Sequence, residues 1–499
     1  MNEKTRISHT VRRSVSMVVV AFAAIAGMGT LNEANALSVN FDREIGKIRP
    51  ELHSSGFGPQ ICACPQASID AIKAMGFKAS RTHDWSLINP GQRVCDYYFM
   101  FPLMHLDAKD PKNYLFSRTD YLLNLTREKL GHEIFFRLGA SIEHSDMDAH
   151  FNVLIPEDFE KVAEIFAATV RHYNNGWGNG HNWGIKYWEI WNEPDNRNVW
   201  DLRDDQKAKI EPSARDQKRM EFFVKFFVMC LKRLKSEFPD IKVGGPALVK
   251  MREYYFIELL KACKEAGVAP DFISWHHYTG DPKVIMDAID KGRELCDSFG
   301  FRDCELIIDE WHYFGPYAWR DLFPWKKNAS LHSEGRKRAI SGPASHTGID
   351  SSCFNLTMLS KFQTSKLDQA YYYGCRNEGN WGFMDSTRRK NKVFYGLKMF
   401  GGFIKERSLI CESSGSTNVT VFAAKDAAGN RKAMLVTDYR SSSADEISVE
   451  VSGVPANADV RAWVHDYTRD FEPISVRFEE GKVFLKKADV NSAAYLVTF

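Results

Sequence analysis

Residues 186–195 read Lys186-Tyr187-Trp188-Glu189-Ile190-Trp191-Asn192-Glu193-Pro194-Asp195. The first six, Lys186–Trp191, are mostly aromatic or β-branched and suit a short strand. Pro194 cannot donate to a strand ladder and stops it. Asn192 and Glu193 therefore stand where a strand gives way to a loop. Seven segments of similar texture flank this one: Glu51–Phe57, Lys78–Thr82 and Glu133–Leu138 before it, and Ile241–Gly244, Phe272–His276, Glu305–Asp309 and Gln369–Tyr373 after it. Between them lie helical patterns at Pro65–Met75, Thr119–Leu130, Pro156–Tyr173, Ala214–Phe238, Tyr254–Glu265, Pro282–Phe299, Ser351–Thr364 and Lys392–Ile404. The clearest is Ala214–Phe238, whose Phe222, Phe223, Phe226, Phe227, Leu231 and Leu234 make one broad apolar face. This alternation predicts an α/β chain whose residues 50–404 close into a (β/α)8 TIM barrel, a fold of about 250 residues or more. An open doubly wound sheet would carry a Gly-rich phosphate turn after its first strand. Here Gly56-Phe57-Gly58-Pro59 lacks the third Gly and puts Pro where a helix N–H should be free.

Beyond the barrel the texture changes. Residues 405–499 offer short strands at Asn418–Ala424, Lys432–Asp438, Glu446–Val451, Val460–Val464, Ser475–Phe478, Lys482–Leu485 and Ala493–Phe499, with turn residues such as Gly429-Asn430 between them. They predict a C-terminal β-sandwich. Residues 37–49 begin with a strand-like Leu37–Phe41 that would join that sandwich before the chain enters the barrel. At the start, Arg12-Arg13, the apolar run Val15–Met28 and Ala34-Asn35-Ala36 read as an export signal over residues 1–36. The competing reading, a membrane anchor, meets a run short of the roughly 20 residues a span needs. The chain would then be secreted or periplasmic, with no membrane association after cleavage. Cys296 and Cys304, which flank a helix-to-strand link, could pair.

Composition narrows the partners. With 66 Lys+Arg against 64 Asp+Glu the net charge is +2, so there is no cationic excess to neutralise phosphates, and nucleic acid is not expected. Apolar residues at 44% exclude a disordered chain. Aromatics at 13% exceed what cores alone ask for, and flat rings also stack on apolar ligand faces.

In such a barrel the chemistry sits at the C-terminal ends of the strands. Glu193 ends the fourth strand, and Glu310, in Ile307-Ile308-Asp309-Glu310-Trp311, ends the seventh. Two carboxyl groups facing each other across a barrel mouth are what glycoside hydrolysis needs, one to protonate the leaving oxygen and one to attack the sugar carbon. As an acid Glu193 must hold a proton, which partial burial and a nearby negative charge favour; Glu310 must stay ionised and needs hydrogen-bond donors. A metal is not expected, because metal barrels use a His-x-His on the first strand and that strand offers only His53; no cofactor is expected either.

Trp188-Glu189-Ile190-Trp191-Asn192-Glu193-Pro194 resembles the acid/base motif of the clan A retaining glycoside hydrolases. Val39–Pro50, Arg81-Thr82-His83, Phe272–Tyr278 and the C-terminal sandwich further resemble glycoside hydrolase family 39, the family of β-xylosidases and α-L-iduronidase. The resemblance implies a carbohydrate substrate, Glu193 as acid/base and Glu310 as nucleophile. It also implies that Tyr278 and Arg81 donate to Glu310, that Asn192, His83 and His276 bind sugar hydroxyls, and that Trp381 stacks on the sugar. Trp311 and Trp191 sit directly beside the catalytic positions, where either would pack under the sugar or support the strand, and Trp311 is counted with the sugar-binding residues. His277 should face the opposite side of its strand. The long segment Trp311–Gly348 reads as a flap over the cleft. The alternatives are a barrel that binds carbohydrate without turning it over, or an endo-glycanase of another clan A family. Oligomeric state is left open.

Overall fold

The computed structural model describes residues 36–499, apart from 57, 59–60, 62–63, 86–92, 142–152, 323–332, 380, 385–386, 441–445 and 488–490. The expected export signal and the middle of the expected flap lie outside the described residues. The first strand, β1 (Ser38–Lys47), belongs to a second layer taken up below. Eight parallel strands then close a barrel: β2 (Ser54–Gly56), β3 (Ala79–Arg81), β4 (Glu133–Leu138), β5 (Tyr187–Ile190), β6 (Lys242–Leu248), β7 (Phe272–Thr279), β8 (Glu305–Tyr313) and β9 (Gln369–Tyr373).

Side chains alternate in and out along these strands. Ala79, Phe135, Tyr187, Phe272, Ile307 and Tyr371 fill the lower interior. Phe135 lies 4.9 Å from Tyr371 and 5.5 Å from Phe272, ring to ring. Gly244 on β6 makes room for them, because a Cβ there would sit 2.7 Å from Phe272 Cγ. Two residues further along the same strands come Arg81, Arg137, Glu189, Ser274 and Asp309, each wholly buried. The period of two thus places a charged layer directly on an aromatic one.

The opposite faces of the strands pack against helices. Phe136 and Trp188 stack at 4.9 Å outside the barrel. The helix Arg215–Glu237 buries Phe223, Phe226, Phe227, Leu231 and Leu234, the stripe its sequence announces. Asn355, which with Leu356 and Thr357 spells an N-glycosylation acceptor, is buried in the helix Ile349–Gln363 and is closed to glycosylation in the folded chain.

Two short strands after the barrel, β10 (Arg376–Glu378) and β11 (Gly382–Met384), pair with each other. The remaining strands are β12 (Leu409–Ser414), β13 (Val419–Lys425), β14 (Ala433–Asp438), β15 (Glu446–Ser452), β16 (Arg461–His465), β17 (Asp470–Ile474), β18 (Arg477–Glu479), β19 (Lys482–Lys486) and β20 (Ala493–Thr498). With β1 they form one ten-stranded sheet, in the order β17-β16-β20-β14-β13-β12-β1-β15-β19-β18, curled over a single core. The strand β1 is its joint, antiparallel to β12 and parallel to β15. Two strands, β12 and β17, escape the sequence pattern. The edge strand β17 contains Pro473, which demotes a strand to an edge, and β12 ends in Glu412-Ser413-Ser414.

The sheet is also fastened to the barrel. Phe422, Ala424, Ala433, Leu435 and Ala494 turn away from the sheet's own core and join the barrel's. Tyr439 Oη donates to the Gly280 carbonyl at 2.7 Å, and Arg440 Nη2 to Tyr313 Oη at 2.5 Å. Ser492 Oγ donates to Asp350 Oδ1 at 2.6 Å. Gly280 follows β7 and Tyr313 ends β8, so the sheet braces the C-terminal ends of these two strands. No helix among the described residues is long and apolar enough to cross a membrane.

Because Gly244 gives Phe272 its place, Gly244→Ala overpacks the interior and is expected to cost about 1–3 kcal/mol. The midpoint of urea unfolding measures it.

Candidate active site

Arg81, the last residue of β3, is fully buried, and its guanidinium organises the barrel mouth. Nε donates to Glu189 Oε2 at 2.6 Å, Nη1 to Glu310 Oε1 at 2.9 Å and Nη2 to Asn192 Oδ1 at 2.8 Å. Nη2 is also 2.9 Å from Asp309 Oδ2. Ser274 Oγ donates to the other oxygen of Glu189 at 2.6 Å. Four strands are thereby tied to one planar cation.

A bulge brings Glu310 into this group. Trp275 pairs with Ile308 but His276 with Glu310, so Asp309 is an extra residue in the ladder. The register against β9 slips between Ile308 and Trp311 as well. Ile307 and Asp309 face inward by simple alternation; the bulge then turns Glu310 inward too and sends Trp311 out. Trp311 is fully buried against Phe362 and Tyr372, with ring centroids 5.4 and 5.5 Å away. The expectation that Trp311 contacts sugar is therefore corrected: it is a packing residue between strand and helix. Trp191 is likewise buried, against Tyr97, Trp200 and Phe226.

Glu310 Oε2 accepts from Tyr278 Oη at 2.6 Å and lies 3.4 Å from His276 Nδ1. His276 Nδ1 is 2.9 Å from Glu193 Oε1, and its Nε2 is 3.3 Å from Asp309 Oδ2. His83 Nε2 is 3.3 Å from Asp84 Oδ1 and 3.5 Å from Glu310 Oε1. Glu193 follows β5 on a contorted turn in which Trp191 and Glu193 have φ of 76° and 48°. A non-glycine residue there carries strain of about 1–3 kcal/mol. The turn holds because Trp191 N–H donates to Leu138 O at 2.6 Å and Glu193 N–H to Ala247 O at 2.8 Å. Asn196 Nδ2 donates to Glu193 Oε2 at 3.0 Å. One oxygen each of Glu193 and Glu310 and one His276 nitrogen lie within 4.8 Å of one another.

Seven residues expected at the site, Arg81, His83, Asn192, Glu193, His276, Tyr278 and Glu310, thus meet in one cluster. Trp381 stands on the wall above it, 5.8 Å from the Tyr278 ring, among Tyr317, Leu322 and Ala339 from the described ends of the flap segment. The sequence did not reveal Glu189, Ser274 and Asp309 beneath the cluster, and their only signal was the inward parity they share with Tyr187, Phe272 and Ile307. Nor did it reveal Trp319, which is 43% exposed and 5.5 Å from the Tyr278 ring.

The charges are unequal in number. Arg81 and His276 face Glu189, Glu193, Asp309 and Glu310. Burial alone would lower His276, but Glu310 and Asp309 raise it well above the usual imidazole range. Burial pushes Glu189 up to about 8, against the pull of Arg81, and pushes Glu310 up to about 7, against His276 and Arg81. Burial also opposes ionisation of Asp309, yet Arg81 and His276 outweigh it and hold this carboxyl below its usual value. Burial drives His83 well below its usual value, so its ring is neutral and can serve hydroxyl groups. The Glu193–His276–Glu310 trio has the span of a metal site, but a charged His276 with both nitrogens turned to carboxylates has no lone pair to give.

Removing the central cation would strand buried carboxylates. Arg81→Met is expected to cost about 3–5 kcal/mol in denaturant unfolding near pH 8. The loss should shrink as pH falls and these groups take up protons.

The profile of Glycosyl hydrolases family 39 matches residues 37–293. A beta-xylosidase of Geobacillus stearothermophilus is 30% identical over 130 residues, 26% of this chain and 22% of that one. A beta-xylosidase of Caldicellulosiruptor saccharolyticus is 26% identical over 215 residues, 42% of this chain and 38% of that one. The chain thus matches well under half the length of these relatives. Among solved structures, a glucosidase from Croceicoccus marinus aligns with a TM-score of 0.68 at 19% identity, over 93% of this chain and 98% of that one. A monomeric beta-xylosidase from Caulobacter crescentus CB15 aligns with 0.61 at 15% identity and the same coverage. These two likenesses are of fold: a barrel with a β domain. The profile match runs from β1 through β7 into the helix Pro282–Phe299, more than half of the chain, and the protein belongs to glycosyl hydrolase family 39.

Proposed function

We propose that this protein is an exported retaining O-glycosidase, β-xylosidase-like in substrate, that cleaves poly- or oligosaccharides by double displacement. Glu310 is the nucleophile and Glu193 the acid, then the base. One observation carries this reading: an oxygen of Glu193 and an oxygen of Glu310 lie within 4.8 Å of one another. Retaining enzymes hold their carboxyl groups about 5–5.5 Å apart, whereas inverting ones leave about 6.5–9.5 Å for a water.

The neighbours of Glu310 suit its role. Glu310 receives hydrogen bonds from Arg81 and Tyr278, which favour the charged carboxylate that must attack the sugar carbon. Burial holds the Tyr278 proton on its oxygen, well above the usual phenol range, so it acts as a donor. As the glycosyl bond to Glu310 forms, Glu193 passes its proton to the departing oxygen. A water that enters afterwards gives a proton back to Glu193 and releases the sugar. Arg81 occupies Asn192 Oδ1, which leaves the Asn192 amide N–H groups for a hydroxyl beside the reacting carbon. Trp319 offers an exposed ring face to the sugar, with the mostly buried Trp381 packed 5.9 Å from it. The β-xylosidases among the relatives support a xyloside; the signal-like residues 1–36 support export.

The test is hydrolysis of a panel of aryl glycosides, led by aryl β-xylosides, with the product anomer read by NMR. Retention is expected. Glu310→Gln should abolish turnover throughout. Glu193→Gln should cost about 10²–10⁴-fold with poor leaving groups and far less with activated ones. Full activity in either variant, or an inverted product, would refute the assignment, and sugar binding without turnover by the wild type would favour the non-catalytic alternative.

The pH profile gives a second check. Attack needs Glu310 ionised, and burial raises its carboxyl toward 7. The acidic limb of kcat/KM is therefore expected above the ordinary carboxylate range, with activity lost as pH falls through it. Tyr278→Phe removes a donor to the charged form and should move this limb to still higher pH.

A further inference from the structure

Asp120, His172 and His181 converge in a cluster that shares no residue with the one at the barrel mouth. Asp120 lies on the helix Ser117–Leu125 and His172 in the last turns of the helix Phe159–Asn175. His181 is in the loop from that helix to β5. Asp120 Oδ1 is 3.1 Å from His172 Nε2 and 3.8 Å from His181 Nε2. One ligand atom from each of the three residues falls within 4.8 Å of the others.

The second contacts decide which atoms are offered. His172 Nδ1 is 2.9 Å from the Trp177 carbonyl, which can only accept, so Nδ1 carries the hydrogen and Nε2 is turned to the cluster. His181 Nε2 is buried and has no hydrogen-bond partner. Tyr173 Oη donates to Asp120 Oδ1 at 2.9 Å and fixes that carboxylate. Both imidazoles are held flat, His172 by Phe116 at 3.7 Å and His181 by Trp183 at 4.0 Å. The His181 N–H donates to the His172 carbonyl at 2.6 Å. Gly180 permits that approach, since a Cβ there would lie 2.6 Å from His172 Nδ1. Arg127 is a neighbouring cation, its guanidinium set against the Trp183 ring at 4.7 Å.

We propose that Asp120, His172 and His181 bind one divalent transition-metal ion, Zn²⁺ by ligand type, with water in a fourth position. Bonds of about 2.0–2.1 Å in a tetrahedron put neighbouring ligands roughly 3.3 Å apart, and the two observed separations bracket that value. Two imidazoles and a carboxylate suit Zn²⁺ and its neighbours in the first-row series better than Mg²⁺ or Ca²⁺. Asp120 and His181 are each partly exposed, which leaves the ion a path to the cluster. The ion would staple the end of one helix to the loop that enters β5, the strand that leads to Asn192 and Glu193. Its role is structural.

The full chain, stripped with chelator, is titrated with Co²⁺ and the visible bands followed; Zn²⁺ is then added. One Co²⁺ per chain is expected, displaced by Zn²⁺. His181→Ala and Asp120→Asn should each weaken binding at least tenfold, and Glu193→Gln should bind as wild type. Zn²⁺ should raise the Tm of the wild type and of neither His181→Ala nor Asp120→Asn. The absence of saturable binding, binding unchanged in both of these variants, or loss of binding in Glu193→Gln would overturn the proposal.

Discussion

The guanidinium of Arg81 is the contact on which the barrel mouth depends. It is wholly buried and reaches carboxyl or amide groups on or just beyond β5 and β8. A charge buried this deeply is stable only when its partners are in place, and they in turn are stable only with it. The layer below is apolar but for the Tyr187 and Tyr371 hydroxyls, which donate to Glu305 and Gln369. The interaction therefore fixes the relative heights of these strands. It also fixes the orientation of Glu310 and Asn192, which lie on different elements more than a hundred residues apart.

The charged layer also sets protonation. Two cations face four carboxyl groups, and burial raises Glu189 against the pull of Arg81. Glu310 sits between regimes: burial raises it while Arg81, Tyr278 and His276 favour its anion. A carboxyl group poised in this way has an ionisation that responds to what enters the cleft. Bracing by the curled sheet at Gly280 and Tyr313 reaches β7 and β8, the strands that carry Tyr278 and Glu310.

Much of this was legible in the chain. Every barrel strand was found, most because they are short apolar or aromatic runs, and β2 and β3 because they fall between helical periods. Glu193 could be read because Pro194 ends its strand, and Glu310 because it follows Ile307-Ile308. The family profile ends at residue 293, before β8, so Glu310 depends on the barrel pattern alone. Trp311 was misread for a specific reason. It was placed by its position beside Glu310, and a single extra residue in the ladder turns Glu310 inward and Trp311 out. A bulge is a property of two strands, and one strand's sequence does not announce it. The edge strand β17 was missed because Pro473 argues against it locally, and only its position at the sheet's edge permits it.

Local sequence determined where strands and helices lie, which residues end the strands, and the presence of two carboxyl groups at strand ends, because these follow from periodicity and from the backbone limits of proline. Tertiary structure decided which side chains face the cleft, how close Glu193 and Glu310 come, and that Glu189, Asp309 and Arg81 form one charged layer. Those outcomes depend on register and desolvation. Both arise only when strands far apart in the chain are brought side by side and water is removed from between them.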